Sequence, residues 1–205
     1  MQSLNAGASS RVSHELYVDL RKPICEIRAS FRKSYKSLVN CGLRLWSVEV
    51  LESDDSQIWA DFKALHFQAA ERKTRSEESW SVQHKMLREG EAFLIHLRDP
   101  SGKMVGAGFF EFTHDEGGYS VAAYKRELFD KPLGHVVQMR AIEEFQKRGL
   151  RWYKIGARPY AHDIPRPTEK EISIAQFKQG FATHCFPCFT LQHFLRDEGN
   201  VRVCL

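Results

Sequence analysis

The stretch DKPLGHVVQMRAIEEFQKRGLRWYKIG, residues 130–156, offers the clearest opening for chemistry. A short turn runs into an amphipathic helix, and an aromatic-rich strand follows. The first N–H groups of a helix lack partners inside it, and the helix dipole adds partial positive charge there. Such a start can hold a phosphate or another anion. The start reads Lys131-Pro132-Leu133-Gly134-His135-Val136, with one glycine to admit a ligand. The same stretch is also a plain packed βα unit, because Leu133, Val137, Ala141 and Phe145 form one apolar stripe. Both readings stay open on the residues alone. A second candidate group is basic. Residues 21–44 hold Arg21, Lys22, Arg28, Arg32, Lys33, Lys36 and Arg44 against Glu26 alone. That concentration fits an anionic partner such as a phosphate, a nucleotide sugar, tRNA or a membrane surface, or else a solvated helix face.

Other patterns carry less. Cys25, Cys41, Cys185, Cys188 and Cys204 are an odd set without a leader sequence, which argues for free thiols. Cys185-Phe-Pro-Cys188 is formally a CxxC, and His184 and His193 stand near it. The surroundings, CFPCFTLQHFL, read as a strand, whereas a redox CxxC opens a helix. No metal site is expected. His162-Asp163 and His184 come without a GxSxG elbow, so a serine hydrolase is not expected either.

The chain has 205 residues, 42% hydrophobic and 27% charged, with a net charge of +4. That is an ordinary globular composition, and the mild charge gives no reason to expect DNA binding. No apolar run approaches the ~20 residues that span a bilayer. The start MQSLNAGASS lacks the apolar core of a secretion signal, and the cytoplasm is the expected compartment. Residues 1–14 read as a frayed start.

The elements that must position these residues follow from periodicity. ELYVDL reads as a short strand. Pro23 then opens a basic amphipathic helix with Ile24, Ile27, Phe31, Tyr35 and Leu38 on one side, stopped at Gly42. LRLWSVEVL (43–51) reads as a strand. Ser53-Asp54-Asp55-Ser56 offers caps to a helix carrying Ile58, Phe62, Leu65 and Ala69, and Ser79 a cap to a second helix ending at Gly90. EAFLIHLRD and KMVGAGFFEFTH form a hairpin about Asp99-Pro100-Ser101-Gly102. YSVAAY makes a third antiparallel strand after Asp115-Glu116-Gly117-Gly118. Helix 133–148, the strand RWYKIG, a Pro-rich loop over 157–171, the helix ISIAQFKQGF and the strand CFPCFTLQHFL come next. VRVCL reads as one more short strand. The order from residue 43, β α α β β β α β α β, predicts an α/β fold, a twisted mixed sheet flanked by helices.

That order resembles the GNAT acyltransferase fold. The segments ELYVDLRKPICEIRASFRKSYKSLVNCGLRLWSVEV, AERKTRSEESW, VGAGFFEF, GHVVQMRAIEEFQKRGLRWYKIG and ISIAQFKQGF stand in the order of FemAB-type transferases, over roughly residues 15–195. The resemblance implies a GNAT-like acyltransferase domain over 43–205, preceded by the strand and basic helix of 15–42. It implies an N-acyltransferase that moves an acyl group from acyl-CoA, such as acetyl-CoA, to an amine of a small or carbohydrate-linked acceptor, as in cell-surface glycan biosynthesis. Two alternatives go with it: an aminoacyl-tRNA-dependent transferase, and a non-catalytic GNAT-like module that binds an anionic partner. Full FemAB enzymes have two such domains, and this chain has room for one. A homodimer is an assembly open to it.

The resemblance also assigns residues. CoA-binding relatives read Arg/Gln-x-x-Gly-x-Gly/Ala before the central helix. Here Gly134 is kept and His135 stands where the second glycine would be. Leu133, Gly134 and His135 are then the donor loop, with Lys125 and Arg126 beside it. Packing alone, CoA pyrophosphate, or a site altered toward aminoacyl-tRNA all remain open for this turn. Lys178 in FKQGF matches a basic position near the transfer site and would stabilise the carbonyl oxygen or hold a phosphate. Glu111 shares a strand face with Phe109 and stands where a general base is often placed, or is an exposed strand carboxylate. Arg32, Lys36, Arg72 and Tyr124 are the expected substrate contacts. A tyrosine acid late in the chain is missing, with Ser173 and Tyr160 as weak substitutes.

Overall fold

The computed structural model describes residues 9–192, 194–197 and 200–203. Seven strands make one mixed sheet in the order β2-β3-β4-β5-β6-β1-β7. These are β1 (Ser9–Asp19), β2 (Ser47–Leu51), β3 (Ala92–Arg98), β4 (Met104–Phe112), β5 (Glu116–Tyr124), β6 (Trp152–Ala157) and β7 (His184–Gln192). All neighbours are antiparallel except β5 and β6, which run parallel. Among the described residues six α-helices accompany them: α1 (Ile24–Ser30), α2 (Tyr35–Leu45), α3 (Ser56–Ala70), α4 (Glu77–Arg88), α5 (Leu133–Lys147) and α6 (Glu169–Gln179).

The expected central helix lies where its stripe places it. Val137, Ala141 and Phe145 are fully buried in one core, with Tyr153, Phe110, Phe181 and residues of α1 and α2. Each buried aromatic or branched side chain there contributes roughly 1.5–3 kcal/mol. On the other sheet face α3 and α4 press Trp59, Phe62 and Trp80 onto Phe109, Val121 and Leu94. The strand alternation is therefore Phe110 to one core and Phe109 to the other.

Local details differ from the periodic reading. The strand expected at 15–20 begins at Ser9, because residues 9–17 pair with Gln192–His184 of β7. Residues 9–14 are thus not frayed; residues 1–8 lie outside the described residues. The single helix expected after Pro23 is two, parted at Phe31, which is extended (φ −59, ψ 150) so that its ring meets Phe181. Gly42 does not stop α2 but sits inside it. A Cβ there would lie 2.2 Å from Val136 Cγ2 and 2.8 Å from the Pro132 carbonyl oxygen, so glycine is what lets α2 cross the start of α5. The helix then consumes residues 43–45 of the expected strand. Ser76, not Ser79, caps α4, its hydroxyl accepting the Ser79 N–H. Asp55 caps α3.

The N-terminal strand is the largest surprise. β1 inserts between β6 and β7, so residues 9–19 fill the middle of that half of the sheet and β7 forms its edge. Residues 201–203 of the expected last strand, together with Asn200, pair with Phe194–Asp197 as a separate hairpin, and Cys204 and Leu205 lie outside the described residues. Among the described residues, no helix is long and apolar enough to cross a membrane.

Candidate functional site

The parallel strands β5 and β6 pair over three positions only, Glu116–Gly118 with Trp152–Lys154. Past that point both bulge. Phe109 pairs with Val121 and Phe110 with Tyr119, which leaves Ser120 as the extra residue of β5. Leu16 pairs with Gly156 and Tyr17 with Lys154, which leaves Ile155 as the extra residue of β6. A bulge bends its strand and ends regular pairing, so the two strands part and a gap opens between them.

Helix α6 and the start of α5 meet at that gap. Thr168 and Glu171 form a full capping box that fixes where α6 begins. Phe177 and Lys178 near its end then reach the gap. A Cβ on Gly134 would lie 3.0 Å from Phe177 Cζ and 3.6 Å from Tyr124 Oη. The Lys178 ammonium faces the Tyr119 ring, 5.3 Å from its centre. It would lie 2.6 Å from a Cβ on Gly156, a residue at φ +135, where only glycine is at ease. Gly156 thereby leaves the space that the ammonium occupies.

Hydroxyl groups line the same place. Tyr119 and Tyr124 hydroxyls are 3.0 Å apart, and buried Tyr153 donates to Gln138 Oε1 at 2.5 Å. Burial pushes Tyr119 up to about 12, and Tyr124 and Tyr153 well above the ordinary tyrosine value. All three therefore stay protonated and able to donate. His135 is ringed by Tyr35, Phe177 and Phe181. Burial first, and then the Arg32 charge, push it down to about 4, so its imidazole is neutral near pH 7. Burial also pulls Lys178 below the usual lysine value, while the Glu15 charge opposes this.

The start of α5 keeps unpaired backbone donors. Pro132 provides no side-chain cap, and among the described backbone bonds the N–H groups of Gly134 and His135, in the first turn, find no acceptor. Gly134, His135, Tyr124, Lys178 and Arg32 thus stand together. Arg32 donates to the Gln176 carbonyl at 2.8 Å and to the Tyr35 hydroxyl at 3.2 Å, tying α2 to α6 beside His135. Leu133 is buried with its side chain in the core, so only its backbone faces the turn. Lys36 stands exposed on the outside of α2.

A second feature joins this one along the chain. Tyr124 leads through Lys125 to Arg126, whose guanidinium meets Glu71 at 2.9 Å. Glu71, at φ 55, ends α3 and turns the chain into Arg72. There an open depression of about 430 Å³ lies over Lys73, Thr74 and Arg75. A neighbouring hollow of about 190 Å³ adds Arg72, His66 and Trp80. Arg75 lies over the Trp80 ring at 5.6 Å. Glu111 stands on the α3–α4 side of the sheet. Its carboxylate is 3.2 Å from where a Cβ of Gly118 would be, on the last row where β5 and β6 still pair.

Sequence reasoning missed Tyr119 and Gly156. The lone glycine near the end of WYKIGA was a usable signal, since glycine in a strand marks a bulge or a close approach. Nothing local marked Tyr119. The cysteine pattern is settled by β7: residues three apart on a strand point to opposite faces, so Cys185 and Cys188 do not share a ligand or a disulfide. Asp163 accepts the Tyr160 N–H at 2.8 Å, and His162 stacks on the Tyr160 ring. Among the described residues, no group of three or more His, Cys, Asp or Glu side chains gathers as a metal site.

No family model and no curated protein matches the chain. Solved structures do. FemX superposes with a TM-score of 0.67 at 14% identity, over 84% of this chain and 59% of that one. The C-terminal domain of a putative lysylphosphatidylglycerol synthetase from Agrobacterium fabrum gives 0.67 at 14% identity, over 92% and 62%. An aminoglycoside acetyltransferase from an uncultured soil metagenomic sample, solved with sisomicin, gives 0.53 at 12% identity, over 75% and 97%. The fold is GNAT-like and of the FemAB type. The chain spans about three fifths of the length of FemX and of the synthetase domain structure.

Proposed function

We propose that the protein is an acyl or aminoacyl transferase that uses the β5–β6 gap as its reaction site. The observation that carries the reading is the Lys178 ammonium, held between two bulged strands beside the uncapped start of α5. The donor's anionic part lies at the N–H groups of Gly134 and His135, with Leu133 contributing backbone and Lys125, Arg126 and Arg32 contributing charge. Its carbonyl points into the gap. The acceptor, a small or carbohydrate-linked amine, enters from the α3–α4 side past Arg72, while Lys36 meets more distant anionic parts of a substrate. Glu111 takes the amine proton directly or through water. The neutral amine attacks the carbonyl carbon, and negative charge builds on its oxygen. A preorganised cation there stabilises that charge at the moment it develops. Lys178 has this role; as the carbonyl re-forms, the acyl bond to the donor's leaving oxygen or sulfur breaks, the Tyr124 hydroxyl gives that atom its proton, and the surplus proton on the attacking nitrogen passes through water to restore the hydroxyl.

Acyl-CoA is the first donor to test. The similarity to a lysylphosphatidylglycerol synthetase domain, with His135 in place of a second glycine, supports an aminoacyl-tRNA donor as the second reading. A thermal-shift panel with acetyl-CoA, CoA and aminoacyl-tRNA separates them, since a ligand at one hundred times its Kd stabilises by ~2.7 kcal/mol. Lys178→Met should then lower turnover by ~10²-fold or more with little change in donor affinity. Full turnover in that variant removes Lys178 from the chemistry. No transfer with either donor class favours a binding module.

A further inference from the structure

We infer that the hollow between α3 and α4 is a phosphate site, and that it takes a phosphate group carried by the acceptor. The substrate assignment rests on the transferase reading; the site itself does not. The hollow, of about 190 Å³, is lined by Lys63, Arg72, Lys73 and Arg75 against the single carboxylate of Glu77. The buried Trp80 ring gathers this lining. Lys63 Nζ lies 6.0 Å from its centre, the Arg75 guanidinium 5.6 Å, and the His66 ring meets it edge-on at 5.1 Å. The carboxylates nearby are already engaged. Glu77 accepts from Lys63 at 2.9 Å and stands 4.0 Å from Lys73, while Glu71 meets Arg126 at 2.9 Å. Glu78 accepts from Ser76 and from its own backbone. Among the described residues no carboxylate pairs with Arg72 or Arg75. Arg75 keeps one long bond, from Nη2 to Ser79 Oγ at 3.3 Å, and its Nε is buried without an acceptor. A buried N–H of a charged group left in that state is costly, and an arriving oxyanion satisfies it. Four cations against one carboxylate leave a surplus of three positive charges. A phosphate ester carries about −1.5 to −2 at pH 7 with three acceptor oxygens, so it answers that surplus better than a carboxylate does. The guanidinium forks of Arg72 and Arg75 suit its geometry. The ion pair of Glu71 with Arg126, two residues beyond Tyr124, ties the rim of the hollow to the end of β5. An acceptor held there by its phosphate lies beside the strand that leads to the gap.

Inorganic phosphate is the first probe, titrated into the full chain by calorimetry at fixed ionic strength so that screening stays constant. Arg75→Gln and Arg72→Gln should each weaken phosphate binding about tenfold or more, the scale of losing one hydrogen bond to a charged group. Arg75→Lys keeps the charge without the fork and should recover only part of the loss. Lys103→Gln removes an equal charge from the exposed β3–β4 turn and should leave the affinity within about twofold. Arg72 is exposed, so its variant decides the case if Arg75→Gln fails to fold. Absence of saturable phosphate binding by wild type, an affinity unchanged in both hollow variants, or an equal loss in Lys103→Gln overturns the site. Acetate binding as tightly as phosphate overturns its assignment to phosphate. Where transfer is observed, galactosamine 1-phosphate and galactosamine are compared as acceptors. The phosphate ester should have a kcat/KM about tenfold or more above that of the plain sugar. Arg75→Gln should remove that preference through KM with kcat little changed, as loss of uniform binding does. Inorganic phosphate should compete with the acceptor and not with the donor. Equal use of the two sugars, or phosphate binding without competition, makes the hollow a site for free phosphate and overturns the substrate assignment. Phosphate binding in the hollow without transfer from any donor refutes the transferase reading and leaves the site intact.

Discussion

Gly156→Ala joins the backbone and the chemistry in one perturbation. At φ +135 the residue occupies a region that side-chain-bearing residues enter at a cost of about 1–3 kcal/mol. The new methyl would also lie 2.6 Å from Lys178 Nζ. That overlap is the smaller effect on stability, because the ammonium ends a flexible four-carbon stem and can swing away. For a chain of this size 1 kcal/mol moves Tm by roughly 2–4 °C, so a drop of roughly 2–12 °C is expected. Urea denaturation of wild type, Gly156→Ala, Lys178→Ala and the double variant separates the two causes. If strain dominates, the double variant is as unstable as the sum of the singles, within about 0.5 kcal/mol. If the clash dominates, Lys178→Ala restores stability to Gly156→Ala. Where the folded variant is assayed for transfer, the displaced ammonium should cost about what its removal costs. A Gly156→Ala protein as stable as wild type would refute the bulge at Ile155 as the cause of the gap.

Gly42→Ala should destabilise by about 1–3 kcal/mol, as overpacking does, because its methyl meets Val136 and the Pro132 carbonyl, which is backbone and cannot turn aside; equilibrium unfolding checks this, and a neutral result would mean that α2 and α5 are not in such contact. His135 is held near 4 in the fold, below its ordinary value of 6.5, first by burial and then by Arg32. Its contribution to stability is therefore complete above about pH 6.5 and is lost as pH falls toward 4, since the unfolded chain takes up the proton first. His135→Phe keeps an aromatic ring against Tyr35 and Phe177 and should flatten Tm against pH in that window. His66 and His96, also lowered by burial, leave part of the slope in place.

What was legible before the structure was what neighbours in sequence decide. Val137, Ala141 and Phe145 recur at helical spacing, so α5 and its buried face followed from the residues. The β3–β4 hairpin followed from Asp99-Pro100-Ser101-Gly102 between alternating runs. Gly42 shows where that reasoning stops. A glycine after an apolar stripe marks a helix end, and the same glycine serves a close helix crossing; only Val136 and Pro132, some ninety residues on, decide which. Ser76 and Ser79 pose the same problem on a smaller scale, since either hydroxyl could cap α4. The site has both kinds of residue. Gly134 and His135 were visible as a helix start, and Lys178 through the resemblance of FKQGF. Tyr119 was not visible, because its meaning depends on α6 bringing the Lys178 ammonium to its ring. The place of β1 was hidden for the same reason: it slides between β6 and β7, a pairing that joins residues 9–19 to residues 152–157 and 184–192. Pairing over that distance leaves no period in the sequence. An ordinary alternating strand therefore looks like an edge until the sheet closes around it, and a tyrosine on β5 looks like a packing residue until a lysine from another element meets its ring.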